Sequence, residues 1–551
     1  MKNKVLKVHQ TDNVIVALTD LVQGEKVSLA GKKYLIVENI KAKHKFAAQD
    51  FEADDAIMMY GVLIGKAQNA IPKGGLLHTF NVKHATISFS ADTERNTSWH
   101  VPDVSEWQTR TFKGYHRTDG SVGTANYWLV IPFVFCENRN LEVLKEALTD
   151  DLGYSYRKSY QPHTRELIAL VEAGKNIQEI LQIDLLSTLS ESKKSRLFPN
   201  VNGIKFLTHD GGCGGTRQDA QALCGLLAGY ITHPNVAGAA VLSLGCQNAQ
   251  ISMLQEEIKK RVPDFDKPLF ILDQQQTGTE EVLISQAIKQ TFIGLMQANE
   301  NLRKPAPLRK LCIGLECGGS DGFSGISANP ALGYSSDLLV ALGGSVILSE
   351  FPELCGLEQE LCDCCIDLET AQRFSDLMRT YKDRAKAIGS GFDMNPSPGN
   401  IKDGLITDAI KSAGAAKRGG TSPVVAVLDY PEKITKAGLN LLCTPGNDVE
   451  STTAEVASGA TVVLFTTGLG TPTGNPITPL IKIASNTTLA PKMADIIDIN
   501  TGTIIEGDET IEKAGARILA YVIKVASGET EVAAVRHGQD DFIPWKRGVS
   551  L

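Results

Sequence analysis

The sequence predicts an α/β fold: a small β-rich N-terminal domain followed by two α/β domains with mainly parallel sheets. The length of 551 residues allows two to four domains, and 42% apolar residues allow sizeable cores. Short apolar runs alternate with helical patterns along most of the chain, an order typical of parallel sheets flanked by helices. Many of these runs stop in polar, glycine-rich turns, which is where open α/β sheets bind their ligands.

The first 90 residues have the pattern of a small β-rich domain. The runs Val14–Leu18, Lys33–Val37 and Ala56–Val62 alternate or carry β-branched residues, and glycines separate them at turn-like spacing. The stretch that follows is polar and lacks helical periodicity, so residues 91–112 are predicted to be a linker.

Two α/β domains are predicted over residues 113–304 and 305–551. In the first, strands are predicted at 127–135, 204–208, 239–244 and 269–272, with helices near 141–148, 217–230 and 279–299 and one ending near 261. In the second, strands are predicted at 311–315, 345–348, 424–428, 440–443 and 461–466.

Composition and charge narrow the class of protein. The chain has 55 basic and 63 acidic residues, a net charge of −8, and no basic block, which argues against a nucleic-acid partner. Its first residues lack the apolar core of a signal peptide, and no run approaches the roughly 18 apolar residues of a membrane helix. Eleven cysteines, an odd number, argue against a disulfide framework. We therefore expect a cytoplasmic protein without a membrane partner.

Polar side chains follow the predicted strand at 311–315. The sequence ECGGSD places Cys317, Ser320 and Asp321 directly after the strand, together with paired glycines that allow a ligand to approach the backbone. Glu350 and Glu353 follow the next predicted strand in the same way. Carboxylates at strand ends are candidates for acid–base chemistry, although exposed structural acids are as common there.

Three cysteines, Cys136, Cys213 and Cys246, each follow a predicted strand of the first α/β domain. Because the carboxyl ends of parallel strands share one edge, their thiols could converge on an iron–sulfur cluster or on a mononuclear metal held with a histidine. Buried cysteines that serve only as small apolar residues are the alternative. His209 shares a loop with Cys213 and is a candidate base or ligand, as is His78 near the end of the β-rich domain.

Other polar groups suit binding of a ligand and not a catalytic role. Asn447 and Asp448, and the loop at 467–474, suit a polyhydroxylated or anionic ligand. A further cysteine group lies in a segment of helical pattern, which disfavours a zinc site: Cys355, Cys362, Cys364 and Cys365. The chain has no phosphate-binding loop and no GxGxxG after a first strand, so nucleotides are not indicated.

Ten motifs, in order along nearly the whole chain, resemble the altronate/galactarate dehydratase family of hydro-lyases. They are HTFNV (78–82), DGSVGTANYWLVIP (119–132), HDGGCGG (209–215), LGCQN (244–248), ECGGSDGFSGISANPALG (316–333), SEFPE (349–353), NPSPGN (395–400), TPGND (444–448), LFTTGLGTPTGNP (464–476) and IKIASN (481–486). The resemblance implies that residues 1–90 form a domain of the SAF type. The cysteine group at 355–365 is not part of the resemblance.

The resemblance implies dehydration of a sugar acid to a 2-keto-3-deoxy acid. We expect D-altronate as substrate, 2-keto-3-deoxy-D-gluconate as product, and a place in hexuronate breakdown. The family implies iron, as Fe²⁺ or an iron–sulfur cluster, with Mn²⁺ as a substitute. Alternatives are a galactarate or sulfo-acid lyase, a sugar-acid-binding protein without catalysis, and a nucleotide-dependent oxidoreductase, which the missing dinucleotide motif disfavours. Assembly into a homo-oligomer stays open.

Residue roles follow from this reaction. A base must remove the C2 proton, an acid must protonate the leaving C3 hydroxyl, and a metal would stabilise the enediolate. The predicted metal ligands are Cys136, Cys213 and Cys246. The predicted catalytic residues are His78 and His209, followed by Glu350 and Asp321. The predicted substrate-binding residues are Asn81, Ser320, Asn447, Asp448, Thr471 and Asn475.

Overall fold

A computed structural model describes residues 3–155, 158–188, 190–191 and 194–550 of the chain. It confirms the predicted fold class, because small antiparallel sheets near the N-terminus precede a four-stranded and a seven-stranded parallel sheet. Among the described residues, none of the helices combines the length and apolar character that a membrane crossing requires.

The N-terminal domain consists of short strands in three antiparallel sheets, ordered β1-β2-β5, β3-β4 and β6-β7-β8. The predicted strand 56–62 is two strands, because the chain turns at Tyr60 and Gly61, whose φ angles of 58° and 85° lie in the left-handed region. The strands are β1 (Val5–Leu6), β2 (Val14–Ala17), β3 (Lys26–Leu29), β4 (Lys32–Leu35), β5 (Lys45–Ala47), β6 (Ala56–Met59), β7 (Val62–Ala67) and β8 (Val82–Lys83).

The second domain is built on a parallel sheet of order β14-β11-β15-β16, with a separate antiparallel sheet of order β10-β9-β17. Its strands are β9 (Thr111–His116), β10 (Val122–Gly123), β11 (Tyr127–Pro132), β12 (Lys158–Ser159), β13 (Ser190–Glu191), β14 (Gly203–Phe206), β15 (Val236–Ser243), β16 (Leu269–Asp273) and β17 (Arg303–Pro307). Its helices are α1 (Asn138–Thr149), α2 (Gln161–Glu172), α3 (Ile177–Leu181), α4 (Arg217–Thr232), α5 (Ile251–Arg261), α6 (Gln274–Thr277) and α7 (Glu280–Ala298).

The C-terminal domain is built on a seven-stranded parallel sheet of order β20-β21-β19-β18-β22-β23-β24. Its strands are β18 (Cys312–Cys317), β19 (Ser345–Leu348), β20 (Val424–Leu428), β21 (Gly438–Leu442), β22 (Val462–Thr467), β23 (Leu480–Ala484) and β24 (Ile499–Asn500). Its helices are α8 (Ala328–Ala341), α9 (Glu358–Asp363), α10 (Leu368–Ala387), α11 (Pro398–Lys402), α12 (Asp408–Ala416), α13 (Asp448–Ser458), α14 (Leu489–Lys492), α15 (Thr503–Glu506), α16 (Ile511–Ala526) and α17 (Ala533–His537).

The N-terminal domain packs directly on the C-terminal domain. One apolar core contains Ile57 and Ile64 of the small domain together with Ile406 and Ile410 at α12. The fully buried Lys45 Nζ donates to the Gly404 carbonyl at 2.7 Å. A buried lysine needs such a polar partner, so this contact fixes the small domain beside the carboxyl edge of the large sheet.

Candidate active site

The candidate site lies at the carboxyl edge of four adjacent strands, β21, β19, β18 and β22. These strands pair in parallel, so the segments that follow them meet at one place. The predicted residues Asp321, Glu350 and Asp448 all belong to these segments. The strands themselves are buried and mainly apolar, with Glu316 near the end of β18 as the charged exception, and their burial fixes the position of the polar residues at their ends.

A buried ion cluster forms the base of the site. Arg418 Nη1 lies 3.0 Å from Glu350 Oε2, and Lys411 Nζ lies 2.7 Å from Glu353 Oε1. The Cys317 thiol donates to Glu353 Oε2 at 3.3 Å. Arg418, Glu350 and Glu353 are all at most 1% exposed, so these charges interact in a medium of low polarity.

Two further buried acids lie next to Glu350. Ser349 Oγ donates to Glu455 Oε1 at 2.7 Å and lies 3.4 Å from Glu316 Oε2. The Leu315 N–H also donates to Glu455 Oε1, at 3.1 Å. Glu316 and Glu350 hydrogen-bond to each other through their carboxyl groups, and Glu455 Oε2 has no hydrogen-bond partner among the described residues.

The cluster holds more buried acids than cations, and the pKa values of most of these acids are therefore raised toward neutral pH or above. Burial, followed by repulsion from Glu353, raises the pKa of Glu350 to about 7. Burial raises the pKa of Glu455 to about 8, and burial with the charges of Glu350 and Glu455 raises the pKa of Glu316 well above its usual value. Glu353 differs because Lys411 and Arg418 together outweigh its burial and lower its pKa. The cluster can therefore exchange a proton near neutral pH.

The backbone of Glu350 is strained. Its φ and ψ of 63° and 62° lie in the left-handed region, which a non-glycine residue rarely adopts. Its N–H donates to Thr444 Oγ1 at 2.8 Å, and that hydroxyl lies 2.9 Å from Ser451 Oγ. Such strain persists where surrounding contacts hold it, and it is common at functional sites.

Asp321 lies at the same edge, on the side of the N-terminal domain. It is fully buried, and Lys43 Nζ of the small domain lies 3.0 Å from its Oδ2. Ser485 Oγ and the Ser324 N–H donate to its Oδ1 at 2.8 and 2.9 Å. Asp321 therefore joins the two domains. Ser320, also buried, accepts a hydrogen bond from Asn400 through its carbonyl.

The rim of the site is more open than its base. A Cβ atom at Gly318 would lie 1.9 Å from Asp448 Oδ2, so only glycine allows this carboxylate its position. Burial, followed by Glu353, raises the pKa of Asp448 to about 6. Asn447 is exposed, and its Oδ1 caps α13. Thr471 is half-buried, and its hydroxyl would lie 3.1 Å from a Cβ at Gly319.

Other predicted residues lie outside this cluster. His78 and Asn81 hold a turn within the N-terminal domain, where the His78 N–H donates to Asn81 Oδ1 at 2.9 Å. Asn475 Nδ2 donates to the hydroxyl of Tyr230 in the second domain at 2.9 Å. Both ring nitrogens of His209 are engaged, one with the Pro132 carbonyl at 2.8 Å and one with the Gly211 N–H at 3.1 Å. Burial lowers the pKa of His209 to about 4, so this ring is neutral at pH 7.

The three thiols predicted as metal ligands are exposed and follow β11, β14 and β15, which are neighbours in one sheet. The loops touch, since the Phe135 N–H donates to the Gly211 carbonyl at 3.0 Å. A cavity of about 70 Å³ adjoins Cys213. Among the described residues, only two groups of three ligands have donor atoms within 4.8 Å of one another, and these three thiols are in neither.

No sequence pattern pointed to several residues of the cluster. Arg418 and Lys411 do not follow an apolar strand, and they reach the site from the turn after α12 and from α12 itself. Glu455 lies within α13, about two turns beyond the motif that pointed to Asp448. Lys43 comes from a different domain.

Comparisons with known proteins cover the whole chain. Three family profiles match it: "Altronate/galactarate dehydratase SAF domain" over residues 3–85, "D-galactarate dehydratase/Altronate hydrolase, second domain" over 114–299, and "D-galactarate/Altronate dehydratase, C-terminal" over 308–550. The chain is 33% identical to an altronate dehydratase of Bacillus subtilis and 31% identical to one of Escherichia coli, each over 99% of both chains. It is also 31% identical to a galactarate dehydratase (L-threo-forming) of Escherichia coli, over 97% of this chain and 94% of the relative.

Proposed function

The chain belongs to the altronate/galactarate dehydratase family of hydro-lyases, and we propose that it dehydrates D-altronate to 2-keto-3-deoxy-D-gluconate and water. Two of the relatives above are named for altronate and one for galactarate, which makes galactarate the second candidate. A cytoplasmic role in hexuronate breakdown is proposed on the same ground.

The observation that carries the chemical part of the proposal is the buried acid cluster around Glu350. The C2 proton beside a carboxylate is weakly acidic, so its removal needs a base that is ionised at the working pH and held close. Glu350 has a pKa of about 7, a neighbour in Glu316 that keeps its own proton and hydrogen-bonds to it, and a fixed partner in Arg418. These properties suit a general base.

We assign the roles as follows. Glu350 Oε1 takes the C2 proton, and the C2 electron pair forms the C2–C3 double bond as the C3–O bond breaks. Asp448, whose pKa of about 6 leaves part of it protonated near neutral pH, gives its proton to the departing hydroxyl, which leaves as water. The resulting enol becomes the ketone at C2. Lys411, whose side chain is 10% exposed, is the candidate partner for the substrate carboxylate.

Access to Glu350 requires movement of the rim. The Glu350 side chain is fully buried, whereas Gly319 and Thr471 are half-buried and Asn447 is exposed. We propose that the segments bearing these three residues part to admit the substrate and then exclude water around the reacting atoms. Ser320 and Asn447 are the proposed partners of substrate hydroxyls.

Iron dependence is proposed from the family, because iron as a Lewis acid would stabilise the charge that develops on the substrate carboxylate. Cys317, Glu350 and Glu353 have donor atoms within 4.8 Å of one another. They do not fit a metal site in this conformation, because Arg418, Lys411 and the Cys317 thiol already pair with the carboxylates. The exposed thiols Cys136, Cys213 and Cys246 stay the predicted ligands.

The test is formation of the 2-keto-3-deoxy acid from D-altronate and from galactarate by anaerobically purified protein supplied with Fe²⁺. The proposal predicts product from D-altronate at a higher kcat/KM than from galactarate. A higher kcat/KM for galactarate would move the assignment to that substrate. Turnover of neither acid, with binding of one of them, would identify a binding protein without catalysis.

A further inference from the structure

A second group of possible metal ligands lies where the N-terminal domain joins the C-terminal domain. It consists of His84, Cys355 and Asp408, whose imidazole nitrogen, thiol sulfur and carboxylate oxygen all lie within 4.8 Å of one another. His84 directly follows β8, Cys355 follows the turn after β19, and Asp408 is the first residue of α12. Three distant parts of the chain thus bring three different donor types together.

The carboxylate of this group lacks the partners that its burial requires. Asp408 is 1% exposed. Its Oδ1 lies 3.4 Å from Ser412 Oγ, and its Oδ2 accepts no hydrogen bond of ordinary geometry from a described residue. Within the group, only the Cys355 thiol, a weak donor, hydrogen-bonds to this carboxylate. A buried carboxylate oxygen left in this way is unfavourable unless a cation binds there.

We propose that His84, Cys355 and Asp408 form a binding site for a borderline divalent transition-metal ion, Zn²⁺ or Fe²⁺. A set of nitrogen, sulfur and oxygen donors suits such ions, whereas Mg²⁺ and Ca²⁺ prefer oxygen alone. Glu358, 3% exposed, adds a second buried carboxyl group beside Cys355 and Asp408. Cys355 binds as the thiolate and releases its proton to solvent when the metal enters.

The site is closed, which assigns it a structural role. Cys355 is 3% exposed and His84 is half-buried. The segment after His84 packs on the C-terminal domain, where Thr86 Cγ2 would lie 3.3 Å from a Cβ at Gly356. A bound ion would tie this segment to α12. The group shares no residue with the acid cluster of Cys317, Glu350 and Glu353, so this inference stands apart from the proposed reaction.

The test uses the full chain, stripped with a chelator and titrated with Co²⁺, which reports a thiolate ligand by a sulfur-to-metal charge-transfer band. All titrations use a chain that carries Cys213→Ser, so that the predicted ligands Cys136, Cys213 and Cys246 do not contribute. With the proposed group intact, this chain should show the band at one Co²⁺ per chain and should gain thermal stability from Zn²⁺. Cys355→Ser should lose the band. It should also bind Zn²⁺ at least about 100-fold more weakly, because losing a direct ligand should cost more than losing a residue that only supports a ligand, which costs about 10–100-fold. Asp408→Asn should also weaken Zn²⁺ binding, and it decides the matter should Cys355→Ser fail to fold.

Two control variants separate this site from other thiols. Cys362→Ser removes a buried thiol of α9 and Cys443→Ser removes a buried thiol after β21, and neither residue belongs to the group or to the predicted ligands Cys136, Cys213 and Cys246. Both should keep the band when made in the Cys213→Ser chain. A band that survives in Cys355→Ser, a band lost in Cys362→Ser or Cys443→Ser, or no band with the group intact would overturn the proposal. None of these readouts depends on turnover, so failure of the dehydratase assignment would leave the result readable.

Discussion

Arg418 Nη1 lies 3.0 Å from Glu350 Oε2, and neither side chain has any exposed surface. The same guanidinium has its Nη2 3.9 Å from Glu353 Oε2. Burial opposes the charge of Arg418, but the acidic groups around it, Cys317 and Glu350 first among them, raise its pKa above the usual value. Arg418 is therefore the fixed positive charge around which the acid cluster is built.

Replacing Arg418 with Met should destabilise the fold by about 3–5 kcal/mol, because it leaves buried carboxylates without their cation. Thermal or urea unfolding measures the change. Arg373→Met is the matched control, since Arg373 pairs with Glu432 at 2.6 Å with both side chains 47% exposed, and such pairs contribute about 1 kcal/mol or less. Equal losses in the two variants would contradict the central place of Arg418.

Stability should fall with rising pH because of Glu455. Its pKa is about 8 in the folded protein against 4.5 ordinarily, so the native state keeps a proton that the unfolded state releases. The stability from this group is fully present below pH 4.5 and is lost as pH rises to about 8, by about 1.4 kcal/mol per pH unit at most. Glu455→Gln should flatten the slope measured by urea unfolding at several pH values.

Gly318→Ala should distort the rim of the site. The added Cβ would lie 1.9 Å from Asp448 Oδ2 and 2.6 Å from Phe465 Cζ, so the carboxylate must move. We expect a loss of about 1–3 kcal/mol in stability, typical of overpacking, and a larger proportional loss in kcat than in substrate affinity. Gly203→Ala, where the nearest atom would lie 3.4 Å away, should leave both unchanged. An unchanged kcat in Gly318→Ala would remove Asp448 from the site.

Lys43→Met should weaken the contact between the N-terminal and C-terminal domains. Lys43 lies 3.0 Å from the buried Asp321 and 3.2 Å from Asp403, and a hydrogen bond to a charged group contributes about 1.5–3 kcal/mol. Limited proteolysis between the domains and thermal unfolding measure the change. Lys83→Met breaks an exposed pair with Asp54 within the small domain and should change neither readout. The same result for both variants would show that Asp321 does not need Lys43.

The strands of the C-terminal domain were largely predictable because buried parallel strands are continuous apolar runs. The predicted strands at 345–348 and 424–428 match β19 and β20. The strand β23 escaped prediction because the buried Lys482 interrupts its apolar run, where its Nζ is satisfied by Thr473 and Gln539. A local pattern cannot show such a distant partner.

The need for distant partners also explains which residues of the candidate site could be predicted and which could not. Glu350 and Asp321 were found because strand ends in a parallel sheet share one edge, whatever the distance between them in sequence. Arg418, Lys411 and Lys43 reach that edge from a turn, a helix and another domain, and only the folded chain brings them there. His84 and Cys355 are likewise joined only by the packing of the two domains.

The most direct test of the central claim is kcat/KM for D-altronate in the wild type and in Glu350→Gln, measured across pH 5–9. For the wild type we expect a bell-shaped profile of kcat/KM with its maximum between about pH 6 and pH 7, because Glu350 must be ionised to take the C2 proton and Asp448 must be protonated to give its proton to the leaving hydroxyl. Glu350→Gln should lower it by about 10²–10⁴-fold, with the fold checked by thermal unfolding. A folded Glu350→Gln protein with the kcat/KM and pH profile of the wild type would contradict the role of Glu350.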